Sequence, residues 1–372
     1  MSWLEDRWWD PRAGLSTAPL APAEAAFRAA AALRGALYDA GVLAAARAPA
    51  PTISIGNVAV GGAGKTPVAL AVARRLQARG RAVAILSRGY GAEASGPRIV
   101  ADADRVRLSA REAGDEPALL ARRLPGVRVL CGPRRADLAQ VAVGELGADA
   151  LVLDDGFQHR ALARDLDVVV VDASNPAGNG RLLPRGPNRE PWSALRRAGL
   201  VWLTRVDAAP PERLAALRAE LLSTTGWAPL ESRHAVTDVL DGALAASLGP
   251  AALHDVPVVL LCALARPDGF RRTLATLGAR VVAERTYRDH HWFEEADLAE
   301  ALDLARRKGA VIATTEKDAV RLPPAAAAEP LLRVVRIEAE ILQGEAVLDA
   351  RLSGALADGD VRATRAEGAI DP

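Results

Sequence analysis

The sequence predicts an α/β protein with a doubly wound, mainly parallel sheet, followed by a second, smaller α/β domain. Short apolar runs alternate with helical patterns along most of the chain, and a glycine-rich segment joins one such run to the next helix. The apolar runs also fall into two sets separated by an irregular stretch. A chain of 372 residues is long for one hydrophobic core, so two domains are expected.

Residues 1–48 are predicted to form an N-terminal helical segment. Trp3, Trp8 and Trp9 are three of the seven tryptophans, and the pattern from Glu24 to Arg47 predicts an amphipathic helix with alanines and leucines on one face. Two interpretations follow from the residues. The helix packs on the body of the protein, or it lies on a bilayer with aromatic anchors. The two are compatible if one end packs and the other contacts lipid.

Residues 49–226 are predicted to form the first α/β domain. A β-branched run bounded by proline and glycine predicts a buried strand at Pro51–Asn57, and helical spacing predicts a helix at Val68–Gly80. Further strands of this set are predicted at Ala82–Ser87, Val127–Cys131, Ala150–Asp154, Val168–Asp172 and Leu200–Thr204. Ligands of such sheets bind at the carboxyl ends of the strands, so the segments that follow the strands are the candidate site.

The stretch AVGGAGKTP, residues 59–67, joins the first strand to its helix. Gly64, Lys65 and Thr66 match the end of the phosphate-binding pattern, whereas Ala59 stands where the strict pattern has glycine. Strand, glycine loop and helix in this order point backbone N–H groups at a phosphate. Lys65 would reach the β- and γ-phosphates, and the Thr66 hydroxyl would bind Mg²⁺. The alternative is a turn without a ligand.

This loop makes the first domain P-loop NTPase-like. Lys65 is one of only three lysines in a chain with 47 lysines and arginines, and a compact charge suits a tight loop better than a planar guanidinium. The predicted ATP-binding residues are Ala59, Val60, Gly61, Gly62, Ala63, Gly64, Lys65 and Thr66.

Polar motifs follow several other predicted strands. Asp154 and Asp155 open DDGFQH, and two adjacent aspartates are costly unless a cation such as Mg²⁺ offsets their repulsion. SRGYG places Arg88 and Tyr90 among glycines, which suits close approach to a polar ligand, although it could be any turn. Asp115 in GDEP precedes a helix, where it either complements the helix dipole or orients an attacking hydroxyl.

A glycine- and proline-rich loop, GNGRLLPRGPNREP, contains Arg181, Arg185 and Arg189. The loop is either solvated or, because arginine forks bind phosphate, a contact for a phosphorylated substrate. VWLTRVD resembles the base-reading segment of P-loop GTPases, and VIATTEKD places Lys317 at a later strand end. Either segment could contact a nucleotide base or ribose.

Residues 227–356 are predicted to form the smaller domain, entered through an irregular or extended linker near Trp227–Leu240. Its YRDHHWF segment carries paired histidines without a supporting zinc pattern, so a histidine that pairs with Asp115 across a cleft is favoured. Residues 357–372 are polar and predicted to be disordered. The predicted strands of this set are Pro257–Ala263, Arg280–Ala283, Gly309–Thr314 and Leu332–Ile337.

Bulk composition excludes several function classes. The net charge of +1 gives no basic field for nucleic acid. Cys131 and Cys262 are predicted to be buried free thiols in a reducing compartment. No apolar stretch is long enough to span a membrane, and the first residues lack the basic and apolar regions of a signal peptide.

Taken together, these motifs resemble the tetraacyldisaccharide 4′-kinase family of lipid A biosynthesis. They are, in order, GNVAVGGAGKTP, SRGYG, GDEP, DDGFQH, GNGRLLPRGP with REP, DHH and TEKD, and they run from residue 56 to residue 318. The resemblance implies transfer of the γ-phosphate of ATP, with Mg²⁺, to the 4′-hydroxyl of an acylated glucosamine disaccharide 1-phosphate. It also implies two domains closing over a cleft and monotopic attachment of the N-terminal segment to the cytoplasmic face of the bacterial inner membrane. No obligate protein partner is evident.

The resemblance also implies roles for individual residues. Lys65 and Thr66 match the phosphate lysine and the Mg²⁺ hydroxyl, and Asp154 and Asp155 match the metal-side aspartates. Asp115 matches the proposed base. His290, chosen over His291 because the family motif is a DH pair, matches the histidine that supports it. Predicted substrate contacts are Arg88, Tyr90, Gln158, His159 and Arg181.

Departures from the family pattern are few. Ala59 and Ala63 stand where threonine is common, and Arg185 and Asn188 stand where smaller or apolar residues are common. Two other classes remain as alternatives. One is a P-loop GTPase or metal-delivery ATPase that switches a partner, which VWLTRVD favours. The other is a peripheral membrane-binding module with a vestigial nucleotide site, which intact Lys65, Thr66 and Asp154 disfavour.

Overall fold

The computed structural model describes residues 3–10, 13, 16–89 and 97–367. The helices are α1 (Trp3–Trp8), α2 (Ala21–Asp39), α3 (Lys65–Ala78), α4 (Ala110–Ala113), α5 (Asp115–Arg123), α6 (Arg135–Gly144), α7 (Pro211–Thr225), α8 (Pro267–Thr276), α9 (Glu295–Lys308), α10 (Glu316–Ala319) and α11 (Glu345–Glu367). The strands are β1 (Thr52–Gly56), β2 (Val83–Ser87), β3 (Arg98–Ala101), β4 (Arg128–Cys131), β5 (Ala150–Asp154), β6 (Leu166–Asp172), β7 (Leu200–Thr204), β8 (Leu230–Leu240), β9 (Pro257–Cys262), β10 (Arg280–Thr286), β11 (Val311–Thr315) and β12 (Leu332–Gln343).

The described strands form one continuous sheet in the order β10-β9-β11-β12-β8-β7-β6-β1-β5-β2-β4-β3. Most neighbours are parallel, and β1 lies between β5 and β6, with Ile53 opposite Val152 on one side and Leu166 on the other. The antiparallel pairs are β3 with β4 and β12 with β8. The mixed, mainly parallel α/β class is therefore confirmed, and the two predicted sets of strands are halves of the same sheet.

Alternation along the strands separates the buried cores on the two faces of the sheet. In the first half, Ile85 and Val152 pack with α3 and α11, whereas Leu86 and Leu151 pack with α6 on the opposite face. In the second half, one face of β9 packs with α9 and the other with α8. Helices on both faces leave the carboxyl ends of the parallel strands as the open edge where a ligand can bind.

The predicted linker is a strand. Residues 230–240 are extended, as the sequence allowed, but they form β8, which pairs with β7 in parallel and with β12 in antiparallel fashion. The pairing to β7 is short, from Trp202 opposite Leu230 to Leu203 opposite Glu231, whereas the pairing to β12 extends from Val334 to Gln343. Because long-range pairing satisfies its backbone groups, the segment needs no strong local strand pattern.

The predicted disordered tail is wrong for residues 357–367, because α11 continues to Glu367. Leu352 and Leu356 of this helix are buried in the core of the first half. Arg81 makes two hydrogen bonds to the Asp360 carboxylate, and a Cβ at Gly359 would clash with Pro51. Tertiary contacts therefore order a stretch whose composition alone is polar.

The N-terminal helix α2 turns its polar stripe toward the protein. Glu24 is buried, and its carboxylate accepts from the Leu182 N–H at 3.0 Å and from Arg185. Arg160 donates to the Gly35 carbonyl at 3.0 Å. Leu33, on the opposite apolar face, is 62% exposed. The helix ends at Asp39, earlier than the predicted Arg47, because Gly41 adopts a positive φ of 70° that terminates it.

The two described tryptophan side chains of the N-terminal segment contact protein. The Trp8 Nε1–H donates to the Pro184 carbonyl at 2.9 Å, and the Arg266 guanidinium lies 4.6 Å from the Trp9 ring centroid. This differs from the interpretation of these tryptophans as lipid anchors. In the described part of the chain, no helix is long and apolar enough to cross a bilayer.

A buried ion network joins the two halves, and we expect it to contribute strongly to stability. Arg123 of α5 contacts Glu316 of α10 and Glu338 of β12, and its side chain is only 4% exposed. Replacing Arg123 with methionine should lower the free energy of unfolding by about 3 kcal/mol, because a buried carboxylate loses a partner. The loss stays at the lower end of the range because Arg336 still contacts Glu316 at 2.8 Å.

Urea denaturation of the Arg123→Met variant measures this effect. The control is Arg134→Met, which removes the exposed Arg134–Asp137 pair and should cost less than about 1 kcal/mol. Equal effects of the two substitutions would contradict a stabilising role of the buried network.

Candidate active site

The loop between β1 and α3 has the backbone geometry of a phosphate cradle. Helix α3 begins at Lys65, and its N-cap Gly64 has φ 90° and ψ 26°; Gly61 has φ 89°. Glycine is required at 64 because this φ strains other residues and because a Cβ there would lie 2.7 Å from the His234 Nε2. The unpaired N–H groups of the first turn of α3 are thus directed at the loop.

Two residues at the end of β7 donate hydrogen bonds to carbonyl groups of this loop. The Thr204 hydroxyl donates to the Ala63 carbonyl at 2.8 Å, and the Arg205 guanidinium donates to the Gly62 carbonyl at 2.9 Å. Arg205 also contacts the Asp172 carboxylate, which Arg266 of the second half contacts as well. In this structure, Thr204 and Arg205 of VWLTRVD therefore fix the carbonyl groups of the loop.

Lys65 lies at the carboxyl end of β1 among polar side chains. Its Nζ is 3.1 Å from the Asn57 Oδ1 and 3.5 Å from the Asp155 Oδ1. Arg189, from the arginine-rich loop, donates to both oxygens of Asp155 at 2.8 and 2.7 Å and also contacts Asn57. Burial raises the pKa of Asp155, but Lys65 and Arg189 outweigh it and hold that pKa well below its usual range.

Asp154, the last residue of β5, is buried and has the opposite electrostatic environment. The Ser87 hydroxyl at the end of β2 donates to its Oδ2 at 3.3 Å. Burial, and then the charges of Glu116 and Asp155, raise the pKa of Asp154. The two adjacent carboxylates therefore differ, since Lys65 and Arg189 contact Asp155 whereas Asp154 is buried. Among the described residues, no group of three or more histidine, cysteine, aspartate or glutamate side chains forms a metal cluster.

Asp115 and His290 come from different halves of the sheet and meet at the start of α5. The Asp115 Oδ2 is 2.9 Å from the His290 Nδ1, and the Asp115 side chain is 4% exposed. Burial raises the pKa of Asp115, but the hydrogen bond with His290 and the charges of Lys317 and Arg321 lower it to about 2. His290 adopts a φ of 62°, a backbone conformation that is uncommon for residues other than glycine.

The neighbouring His291 lies elsewhere. Its Nε2 is 2.9 Å from the Asp297 Oδ2, and its ring stacks on Tyr287 with centroids 4.6 Å apart. The choice of His290 as the partner of Asp115 therefore agrees with the geometry. Its catalytic role stays a prediction.

The predicted substrate contacts occupy different positions. The Gln158 amide donates to the Asn57 carbonyl and to Glu190, each at 3.0 Å. His159 is half-buried, and burial together with nearby arginines lowers its pKa to about 4. Arg88 and Arg181 are exposed. Tyr90 lies outside the described residues.

Several site residues carried no clear signal in the sequence. The sequence places Asn57 only at the end of a predicted strand and Ser87 only at the start of SRGYG. In the structure, Asn57 contacts Lys65 and Ser87 contacts Asp154. Arg189 was one of three arginines in a loop, and no local pattern singled it out. Lys317 lies at Asp115 and Glu116, whereas the sequence suggested a nucleotide contact. Only the folded arrangement of strand ends distinguishes these residues.

A phosphate cradle with its lysine, an aspartate pair at the end of the neighbouring strand and a buried Asp–His pair at the start of α5 define a P-loop phosphotransferase. Sequence comparison identifies the family. The tetraacyldisaccharide-1-P 4′-kinase (LpxK) family matches residues 16–357. The chain therefore belongs to the tetraacyldisaccharide 4′-kinase family.

Individual relatives agree with this assignment. The tetraacyldisaccharide 4′-kinase of Anaeromyxobacter sp. (strain Fw109-5) is 66% identical over 365 residues, covering 97% of this chain and 98% of its own. That of Syntrophus aciditrophicus is 40% identical and covers 80% of this chain and 82% of its own. The crystal structure of LpxK from Aquifex aeolicus in complex with ATP has a TM-score of 0.73 at 28% identity, covering 91% of this chain and 99% of its own. This protein is thus a kinase with an alcohol group as acceptor.

Proposed function

We propose that this protein transfers the γ-phosphate of ATP to the 4′-hydroxyl of tetraacyldisaccharide 1-phosphate, a precursor of lipid A. Membership of the family supports the reaction class and the acceptor. The observation that carries the proposal in the structure is the pairing of Asp115 with His290. A carboxylate held by a histidine beside a phosphate cradle is useful for an alcohol acceptor, and a nucleotide-dependent switch does not need it.

The phosphates of ATP would occupy the loop formed by residues 59–66. The N–H groups of the loop and of the first turn of α3 donate to the phosphate oxygens. Lys65 is already at the mouth of this loop, held by Asn57 at 3.1 Å. It would exchange its contact with Asp155 for the phosphate charge that develops during transfer.

The carboxylates at the end of β5 fit a Mg²⁺ ion. Asp154, the last residue of β5, and the adjacent Asp155 offer the hard carboxylate oxygens that Mg²⁺ prefers. We assign Asp154, Asp155 and the Thr66 hydroxyl to the ion. An ion held by these residues would supply positive charge that offsets the charge of the phosphate oxygens.

Asp115 would accept a hydrogen bond from the 4′-hydroxyl and orient its oxygen toward the γ-phosphorus. Its low pKa makes it a weak base, which suits a loose phosphoryl-transfer transition state that depends on positioning more than on early proton removal. His290, hydrogen-bonded through Nδ1, fixes the rotamer of this carboxylate.

The acceptor would enter from the side of α2. Arg34 of this helix donates to the Gln158 carbonyl at 3.1 Å, so the helix adjoins one of the predicted substrate contacts. The other proposed contacts are Arg88, Tyr90, His159 and Arg181. The outward apolar face of α2, including Leu33, and the exposed Val42 that follows the helix, 69% exposed, support attachment to the surface of the inner membrane on its cytoplasmic side. The polar stripe packs on the protein, so this face remains available for lipid.

Transfer of labelled phosphate from ATP, with Mg²⁺, to tetraacyldisaccharide 1-phosphate in detergent micelles tests the proposal. The expected result is labelled lipid that depends on both Mg²⁺ and acceptor. Hydrolysis of ATP without labelled lipid would contradict it and favour a nucleotide-dependent switch.

A further inference from the structure

The short helix α10 in the second half lies against α5, whose first residue is Asp115. Thr315 caps α10, since its hydroxyl accepts from the Asp318 N–H at 3.1 Å. Three side chains from this region reach α5 or its neighbours: Glu316, Lys317 and Arg321. The start of α5 is therefore supported by residues slightly more than 200 positions away in the sequence.

Lys317 is the cation that faces the candidate site. Its Nζ is 3.1 Å from the Glu116 Oε1 and 4.0 Å from the Asp115 Oδ2, and its side chain is 22% exposed. Burial lowers the pKa of Lys317, but the charges of Glu116, Asp289 and Asp115 outweigh it and raise that pKa. Lys317 therefore stays charged while it bridges two consecutive carboxylates.

Arg321 is a second, more deeply buried cation close to Asp115. It is almost fully buried, donates to the Ala263 carbonyl at 3.0 Å and pairs with Asp318, and its Nε is 3.6 Å from the Asp115 Oδ2. At the other end of α5, Glu316 pairs with Arg123. The second half thus contacts α5 at both ends. Of these side chains, Lys317 is the one that contacts Glu116.

We infer that Lys317 is a positioning residue for phosphoryl transfer, acting through Glu116 and Asp115. Asp115 and Glu116 are consecutive carboxylates at the start of α5, and the Lys317 ammonium group contacts both. Its positive charge offsets the repulsion between them and fixes the start of α5. Without it, the two carboxylates would shift, and the acceptor hydroxyl would lose its alignment.

The inference rests on the proposed function, and lipid phosphorylation by four variants tests it. These are Lys317→Met, Lys317→Arg, Glu116→Gln and the double variant Lys317→Met/Glu116→Gln. The matched control is Lys308→Met, an exposed lysine at the end of α9 in the same half. We expect Lys317→Met to reduce kcat by about tenfold to a hundredfold with little change in KM for ATP or lipid, as a misplaced group does.

Three further results are expected. Lys317→Arg should recover part of kcat, because a charge returns with a different shape. The effects of Lys317→Met and Glu116→Gln should be non-additive, because the second substitution removes the carboxylate that the first leaves unpaired. The thermal midpoint of Lys317→Met should stay close to that of Lys308→Met.

Other outcomes would overturn the inference. Unchanged kcat in Lys317→Met excludes a role in the reaction, and a rise in KM for lipid alone would indicate direct contact with the acceptor. Additive effects, or a kcat loss that follows a lowered thermal midpoint, would indicate a structural role. If the wild type labels no lipid, the proposed function fails together with the inference. If the wild type labels lipid and Lys317→Met does so equally well, only the inference fails.

Discussion

Replacing Lys65 with methionine is expected to reduce phosphate transfer by about a hundredfold to a thousandfold. Lys65 is the cation that the structure places at the mouth of the phosphate cradle, 3.1 Å from Asn57 and 3.5 Å from Asp155. A preorganised charge that faces the transferring group is worth several kcal/mol in such a site, about that range of rate. Methionine keeps most of the length of the side chain and removes the charge.

Lys65→Met should lower kcat/KM strongly and change the thermal midpoint of unfolding little. Lys65→Arg should remain strongly impaired, because a planar guanidinium does not fit the tight loop. Lys308→Met, at an exposed position, removes a lysine without touching the site and serves as the matched control. Retention of most of the activity in Lys65→Met would contradict the assignment of residues 59–66 as the cradle.

The sequence was sufficient for the local elements of the fold, because each has its own periodicity. The strand Ala150–Asp154 and the helix that follows Gly64 carry clear apolar patterns and end at residues that cap or break them. The strand β8 and the last part of α11 carry no such pattern. β8 is stabilised by pairing along its length with β12, and α11 by burial of Leu352 against the first half. Neither of these long-range contacts can be predicted from the local sequence.

The candidate site also contains two kinds of residue, those that local motifs predict and those that only the fold brings together. Lys65, Thr66 and the Asp154–Asp155 pair belong to compact motifs, so their neighbourhood could be predicted. The contact of Asp115 with His290 joins positions 175 residues apart. The YRDHHWF segment favoured a histidine partner for Asp115, and the resemblance to a family selected His290 over His291. Asn57, Arg189 and Lys317 become recognisable only when the strand ends converge.

Helix α2 packs on the protein through its polar face, and its helical pattern alone does not predict this. An amphipathic sequence predicts a helix with two unlike faces, but not which face contacts the protein. Glu24 could face inward because Arg185 and the Leu182 N–H satisfy its carboxylate. A pairing of this kind depends on a loop about 160 residues away, so the sequence left packing on the protein and lying on lipid both open.

Replacing Asp115 with alanine is expected to reduce lipid phosphorylation by at least about a hundredfold. The carboxylate is the acceptor that would align the 4′-hydroxyl, and its rotamer is fixed by His290 at 2.9 Å. The KM for ATP should change little, because Asp115 does not belong to the phosphate cradle. Steady-state kinetics with wild type and Asp115→Ala, varying each substrate in turn, measures both quantities.

The pH dependence separates Asp115 from other groups. Because its pKa in the folded protein is lowered to about 2, Asp115 stays ionised from neutral pH down to about pH 4, and the stability that it contributes is lost only as the pH falls below its ordinary pKa. Any loss of wild-type activity between about pH 7 and pH 5 therefore comes from another group. Asp115→Asn, which keeps the size of the side chain but carries no charge, should be low at every pH. A variant that regained wild-type rates at high pH would contradict the need for an ionised carboxylate at this position, and transfer unaffected by either substitution would leave the kinase without its proposed base.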